Sequence, residues 1–147
     1  MRLREQIHID APAVAVWAAL ADWERQAAWM PDVAWMRLVS RERELGARLQ
    51  VRTRIFGVPA VTDLLVVTGW RPPERMEIEH RGLVTGRGVW DLSVEGDGTR
   101  FTWTEEMSMP PPWLGELAMR VYAPFQALML RRSLSNLKRE VERSHGT

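Results

Sequence analysis

The chain has 147 residues, enough to bury one core and too few for two ordinary ones, so residues 1–147 read as a single domain. Its 20 Lys+Arg nearly balance 19 Asp+Glu, a formal net charge of +1, which leaves no basic excess to draw the chain onto nucleic acid. It has no cysteine, hence no disulfide, thiolate metal site or cysteine nucleophile, and the expected location is cytoplasmic. The unusual number is eight tryptophans, bulky side chains that favour a core or a pocket wall.

From the N-terminus, Leu3, Glu5, Ile7 and Ile9 alternate with Arg4, Gln6, His8 and Asp10, which predicts a strand over Arg2–Asp10 with Glu5 as its one misfit. This stretch has no continuous apolar run of the length a signal peptide or membrane span requires, so no integral membrane association is expected. Asp10 offers an N-cap just ahead of Pro12, and Val14, Trp17, Ala18 and Ala21 recur at helical spacing. A second short helix is expected from Asp22 to Trp29, stopped by Met30-Pro31-Asp32.

From Val33 to Met107 β-branched and aromatic runs are divided by turn signals at Leu45-Gly46, Gly57-Val58-Pro59, Arg71-Pro72-Pro73, Arg81-Gly82 and Glu95-Gly96-Asp97-Gly98. That spacing predicts six consecutive antiparallel strands. The clearest alternates Leu49, Val51, Thr53 and Ile55 with Arg48, Gln50, Arg52 and Arg54, one face dry and the other solvated.

Trp113–Arg143 reads as a long helix opened by Pro110-Pro111-Pro112, with Pro124 inside expected to kink or break it near Tyr122. At 100° per residue Leu114, Leu117, Val121, Phe125 and Leu128 share one face, and Leu130, Leu134, Leu137 and Val141 lie roughly opposite, as if the apolar stripe changed sides. Ser144–Thr147 read as a frayed tail.

The segments Ile9-Asp10-Ala11-Pro12, Val16-Trp17, Leu20-Ala21-Asp22 and Trp29-Met30-Pro31 open a pattern that continues through Leu45-Gly46 and Pro72-Pro73-Glu74-Arg75. It closes with Gly98-Thr99-Arg100, Thr102-Trp103 and Ser135-Asn136-Leu137-Lys138. With the element order, it resembles the START-related (SRPBCC) superfamily, which includes polyketide cyclases and plant pathogenesis-related proteins. The resemblance implies an α+β helix-grip fold: a seven-stranded curved antiparallel sheet around a long C-terminal helix, enclosing an apolar cavity. It implies a ligand and no particular reaction, since function resides in the pocket rather than in the fold.

Strand alternation nominates the pocket residues. Phe101, Trp103, Glu105 and Met107 share one face of the last strand, so an apolar face carries one carboxylate. Glu105 reads either as a general acid or base with a pKa raised by desolvation, or as a rim carboxylate paired with an arginine. Met76, Ile78 and His80 align likewise, and His80 is either a proton shuttle or a satisfied core or rim histidine. Gly86, Gly88, Trp90 and Leu92 align next to them, the glycines leaving room for a flat ligand, permitting curvature, or both. On the helix Val121 and Phe125 belong with the first stripe, Tyr122 and Arg132 flank it, and Arg132 either anchors an acidic ligand or snorkels to solvent.

Three scattered histidines and no carboxylate cluster of calcium-loop type give no metal expectation, and no cofactor fingerprint is present. The expected function is binding of a small hydrophobic or aromatic molecule. The alternatives are a polyketide cyclase or dehydratase using Glu105 or His80 for proton transfer, and a protein-interaction domain. Monomer and dimer both remain open.

Overall fold

A computed structural model describes residues 1–146. The chain opens with β1 (Arg2–Ile9), α1 (Ala13–Leu20), a 3-10 turn (Trp23–Arg25) and α2 (Gln26–Trp29). Six strands follow: β2 (Val33–Leu38), β3 (Arg48–Ile55), β4 (Val58–Arg71), β5 (Arg75–Arg81), β6 (Thr85–Glu95) and β7 (Gly98–Ser108). The last element is α3 (Pro112–His145). The strands form one seven-stranded antiparallel sheet in the order β1-β7-β6-β5-β4-β3-β2. This is the expected α+β helix-grip architecture.

Sequential hairpins account for five of the six strand pairings, and β1 joins the far side of β7, so α1 and α2 carry the chain from one sheet edge to the other. Register shifts at Val33/Trp35, Thr53/Arg54 and Val67/Gly69 mark bulges, which bend strands and raise local twist. The concave face holds Leu49, Val51, Leu65, Val67, Met76, Ile78, Trp90 and Phe101, all buried. The Glu5 misfit in β1 is resolved by the helix above it: Arg131 of α3 reaches Glu5 at 3.1 Å.

Three local expectations are corrected. Asp10 does not cap α1; the helix starts later, behind Pro12, whose φ of −67° is already helical in value. The Asp10 carboxylate accepts from His8 Nε2 at 2.8 Å, and its backbone N–H donates to Glu142. The buried face of α1 is Val16, Trp17 and Leu20, with Val14 turned out to solvent. Of the expected tail, Ser144 and His145 continue α3, and Thr147 lies outside the described residues.

The long helix departs most from expectation. It runs unbroken through Pro124, which sits on its exposed side. Its inward line is Gly115, Met119, Tyr122, Gln126, Leu130, Leu134, Leu137 and Val141, steps of three or four residues throughout, so the buried stripe keeps to one side. The other stripe faces outward: Leu117 is 56% and Val121 70% exposed. The C-terminal half of α3 packs on β1, β7 and the short helices, while its first half stands above the middle of the sheet.

The two stripes therefore differ energetically. Leu134→Ala, which empties a fully buried site, should lower stability by about 2–5 kcal/mol. Leu117→Ala should change it by no more than about 0.5 kcal/mol, as usual for surface substitutions. Urea unfolding of both variants gives the comparison, and equal losses would contradict this placement of α3.

Candidate functional site

Between the first half of α3 and the concave face of the sheet lies a cavity of about 420 Å³, within the range that holds a small molecule. Its walls are mainly apolar, including Met30, Val51, Leu65, Ile78, Trp90 and Met119. Phe56 and Leu83, which line it and are also 61% and 52% exposed, mark its opening. Phe56 sits at positive φ (49°) in the β3–β4 turn, uncommon for a bulky residue. Its ring is held against α3 by Tyr122 and Phe125, with centroids 5.2 and 4.8 Å away.

The two residues singled out as proton carriers meet here. His80 on β5 and Glu105 on β7 both face inward across β6, where Gly88 stands opposite Glu105 and Gly86 opposite His80. His80 Nε2 lies 3.2 Å from Glu105 Oε2. Trp103 donates its indole N–H to Glu105 Oε1 at 2.8 Å. Gly88 leaves room for the carboxylate: a Cβ at position 88 would stand 3.2 Å from Glu105 Oε1, tight enough to make it shift. Glu105 is therefore buried and partnered by a histidine, not paired with an arginine at the rim.

The His80–Glu105 contact is close but not aligned as a hydrogen bond, and Oε2 has no hydrogen-bond partner. Burial alone would push the His80 pKa down; the charge of Glu105, its contact with the ring and the charge of Asp63 outweigh this and raise it. The Tyr122 hydroxyl, also on the cavity wall, is buried without a partner. Burial, with the charge of Asp32 adding to it, pushes its pKa up to about 12.

Sequence reasoning passed over Asp32, which it read only as part of a helix stop. Its carboxyl lines the cavity, and its pKa is pushed up to about 6, first by desolvation and further by the charge of Glu105. Its own backbone N–H, Gln126 and Arg54 pull the other way. Gln126 and Met119 were missed as well; carrying the Leu130–Val141 stripe upstream at steps of three and four residues would have found them.

Of the nominated residues, Ile78, His80, Gly88, Trp90, Trp103, Glu105, Met107 and Tyr122 line the cavity, and Gly86, Leu92, Met76, Phe101, Val121, Phe125 and Arg132 do not. Met76 and Phe101 are fully buried in the core behind the wall. Val121 points to solvent, Phe125 packs on Phe56 and Tyr122 outside the cavity, and Arg132 is exposed. The last three fail together because α3 turns its second stripe inward. Most tryptophans serve the core too: Trp17 and Trp23 pack on Trp70, and Trp29 backs Trp90 and Trp103.

Two titrations test these electrostatics. Glu105→Gln removes the charge that holds His80 up and leaves its burial, so the His80 pKa followed by NMR should fall below its ordinary value of 6.5. A raised histidine pKa contributes stability that is present below the unfolded value and lost as pH rises through the folded one, so this variant should lose that acid-side contribution. For Asp32 the sign reverses: a raised carboxyl pKa costs stability above about 6. Asp32→Asn should therefore raise the Tm at pH 7.5, with the gain gone by about pH 4, near the ordinary carboxyl pKa. An unchanged Tm difference across that window would contradict the assignment.

Similarity to known proteins agrees with the fold. The protein TTHA0849 from Thermus thermophilus superposes with a TM-score of 0.82 at 21% identity, over 98% of this chain and 99% of that one. The di-domain ARO/CYC StfQ of the steffimycin biosynthetic pathway gives 0.80 at 16% identity, over 99% of this chain and 52% of that one. The ZhuI aromatase/cyclase from Streptomyces sp. R1128 gives 0.74 at 15% identity, over 97% and 94%. No curated protein sequence matches. The family model described as polyketide cyclase / dehydrase and lipid transport matches residues 1–142, and the chain belongs to that family.

Proposed function

We propose that the protein binds a small hydrophobic or aromatic molecule in the cavity between the sheet and α3. The observation that carries this reading is a largely apolar space of about 420 Å³ lined by two buried polar atoms without a hydrogen-bond partner, Glu105 Oε2 and the Tyr122 hydroxyl. Buried polar groups are costly when unpaired, and a ligand hydroxyl or carbonyl on each would recover that cost. A protein-interaction role would suit a collapsed cavity better than this open one.

A second reading, a dehydratase or cyclase, is favoured by the His80–Glu105 contact. Glu105 Oε2 would take a proton from the carbon next to a ligand carbonyl as a C=C bond forms and a β-hydroxyl leaves. His80, its proton favoured by the neighbouring carboxylate, would protonate that hydroxyl to water. The proton then on Glu105 returns to His80 across the 3.2 Å gap, and the pair is reset. The apolar wall keeps bulk water from competing.

Trp90 and Trp103 make binding observable. Neutral flavonoids and aromatic polyketides should quench tryptophan fluorescence saturably, and Ala118→Trp, which fills the cavity, should abolish the effect. No saturable quenching by any of them would contradict the binding reading. For the second reading, Glu105→Gln and His80→Asn should each slow dehydration of an aryl β-hydroxyketone by about 10²–10⁴-fold while probe binding persists. Unchanged turnover in both would remove the pair from the chemistry.

A further inference from the structure

The charged groups on the cavity wall are unbalanced. Asp32, Asp63 and Glu105 line it; against them stand the His80 imidazole and the Met1 ammonium. No lysine or arginine lines it among the described residues. Glu105 faces His80, and Asp63 accepts the Leu83 backbone N–H at 3.1 Å. The Met1 ammonium donates to the Met107 carbonyl at 2.9 Å.

Asp32 is the remaining carboxylate, and no ion pair holds it among the described residues. Arg54 is near enough for its charge to be felt, yet its Nη1 is spent on the carbonyls of Pro31 and Val33, at 3.2 and 3.0 Å. Arg132, the one cation sequence reasoning offered for anchoring an acidic ligand, is outside. Gln126 hydrogen-bonds the Asp32 carboxyl and Tyr122 is near enough to feel its charge, while the cavity wall as a whole is mainly apolar and no group of described residues has the make-up of a metal site.

From this arrangement we propose, resting on the ligand-cavity reading above, that the cavity selects a cationic apolar molecule, an aromatic or aliphatic amine seated with its ammonium on Asp32. A half-buried carboxylate without an ion-pair partner is costly, and a ligand ammonium supplies the missing counter-charge. The Tyr122 and Phe56 rings, which line the same wall, offer π faces to a cation. Glu105 Oε2, which accepts no hydrogen bond, gives a second acceptor for a polar substituent. By the same electrostatics a ligand carboxylate meets like charge in a low-dielectric site and is rejected.

Isothermal titration of three matched probes tests this: 1-naphthylmethylamine, 1-naphthylmethanol and 1-naphthoic acid at pH 7.5. The amine should bind at least about tenfold tighter than the alcohol, and the acid more weakly than either. Asp32→Asn should remove the amine's advantage over the alcohol; if that variant does not fold, the wild-type amine-to-alcohol ratio decides alone. Alcohol binding with no preference for the amine, or acid binding as tight as the amine, overturns the charge selection and leaves the cavity reading standing. Failure of all three to bind overturns both.

Discussion

One helix has to cover the concave face of seven strands. At 1.5 Å per residue the 34-residue α3 is about 50 Å long, but a helix is only about 10–12 Å wide, and seven strands about 4.8 Å apart span roughly 30 Å. The C-terminal half of α3 settles on β1 and β7 with Leu130, Leu134, Leu137 and Val141, and α1 and α2 cover more of the face. What remains beneath the first half is an uncovered strip of sheet, and that strip is the cavity. A close-packed interior tolerates few voids larger than a water molecule, so a space of about 420 Å³ retained beside so tight a core is consistent with use.

The same constraint explains why polar groups gather there. Elsewhere on the concave face the helices cover the sheet, and the carboxylate of Glu5 there is held by Arg131 of α3; on the uncovered strip Glu105, His80, Asp32 and Tyr122 line space that a ligand can enter. Glycine at position 88 matters for this reason. It makes room in β6 for the Glu105 carboxylate to stand beside His80 of β5, so chemistry from two non-adjacent strands meets over the strand between them.

Much of this was legible in the sequence, for a physical reason: strand side chains alternate strictly, so a β pattern fixes which residues point inward. Period-two reading put Ile78 with His80 and Trp103 with Glu105 on the inner face, and the structure brings all four to the cavity wall. It could not say that β5 and β7 would place His80 and Glu105 3.2 Å apart, because that depends on register across β6. The helix was misread because its two apolar stripes are equally hydrophobic, and only the packing partner decides which turns in. That choice moved Val121, Phe125 and Arg132 away from the site. Asp32 was hidden by its local role beside Pro31, a turn signal that gives no hint of what the turn is packed against.

The central claim, that this cavity is where the protein meets its ligand, is tested most directly by indole N–H resonances in a ¹H–¹⁵N spectrum during titration with a neutral flavonoid. Trp90 and Trp103 line the cavity, Trp17 and Trp23 lie in a separate aromatic cluster, and Trp113 is exposed on the outer face of α3. The account predicts saturable shifts at Trp90 and Trp103, the latter because its N–H bonds Glu105, with Trp113 still. Shifts confined to Trp113 would place binding on the outside of the helix and contradict it.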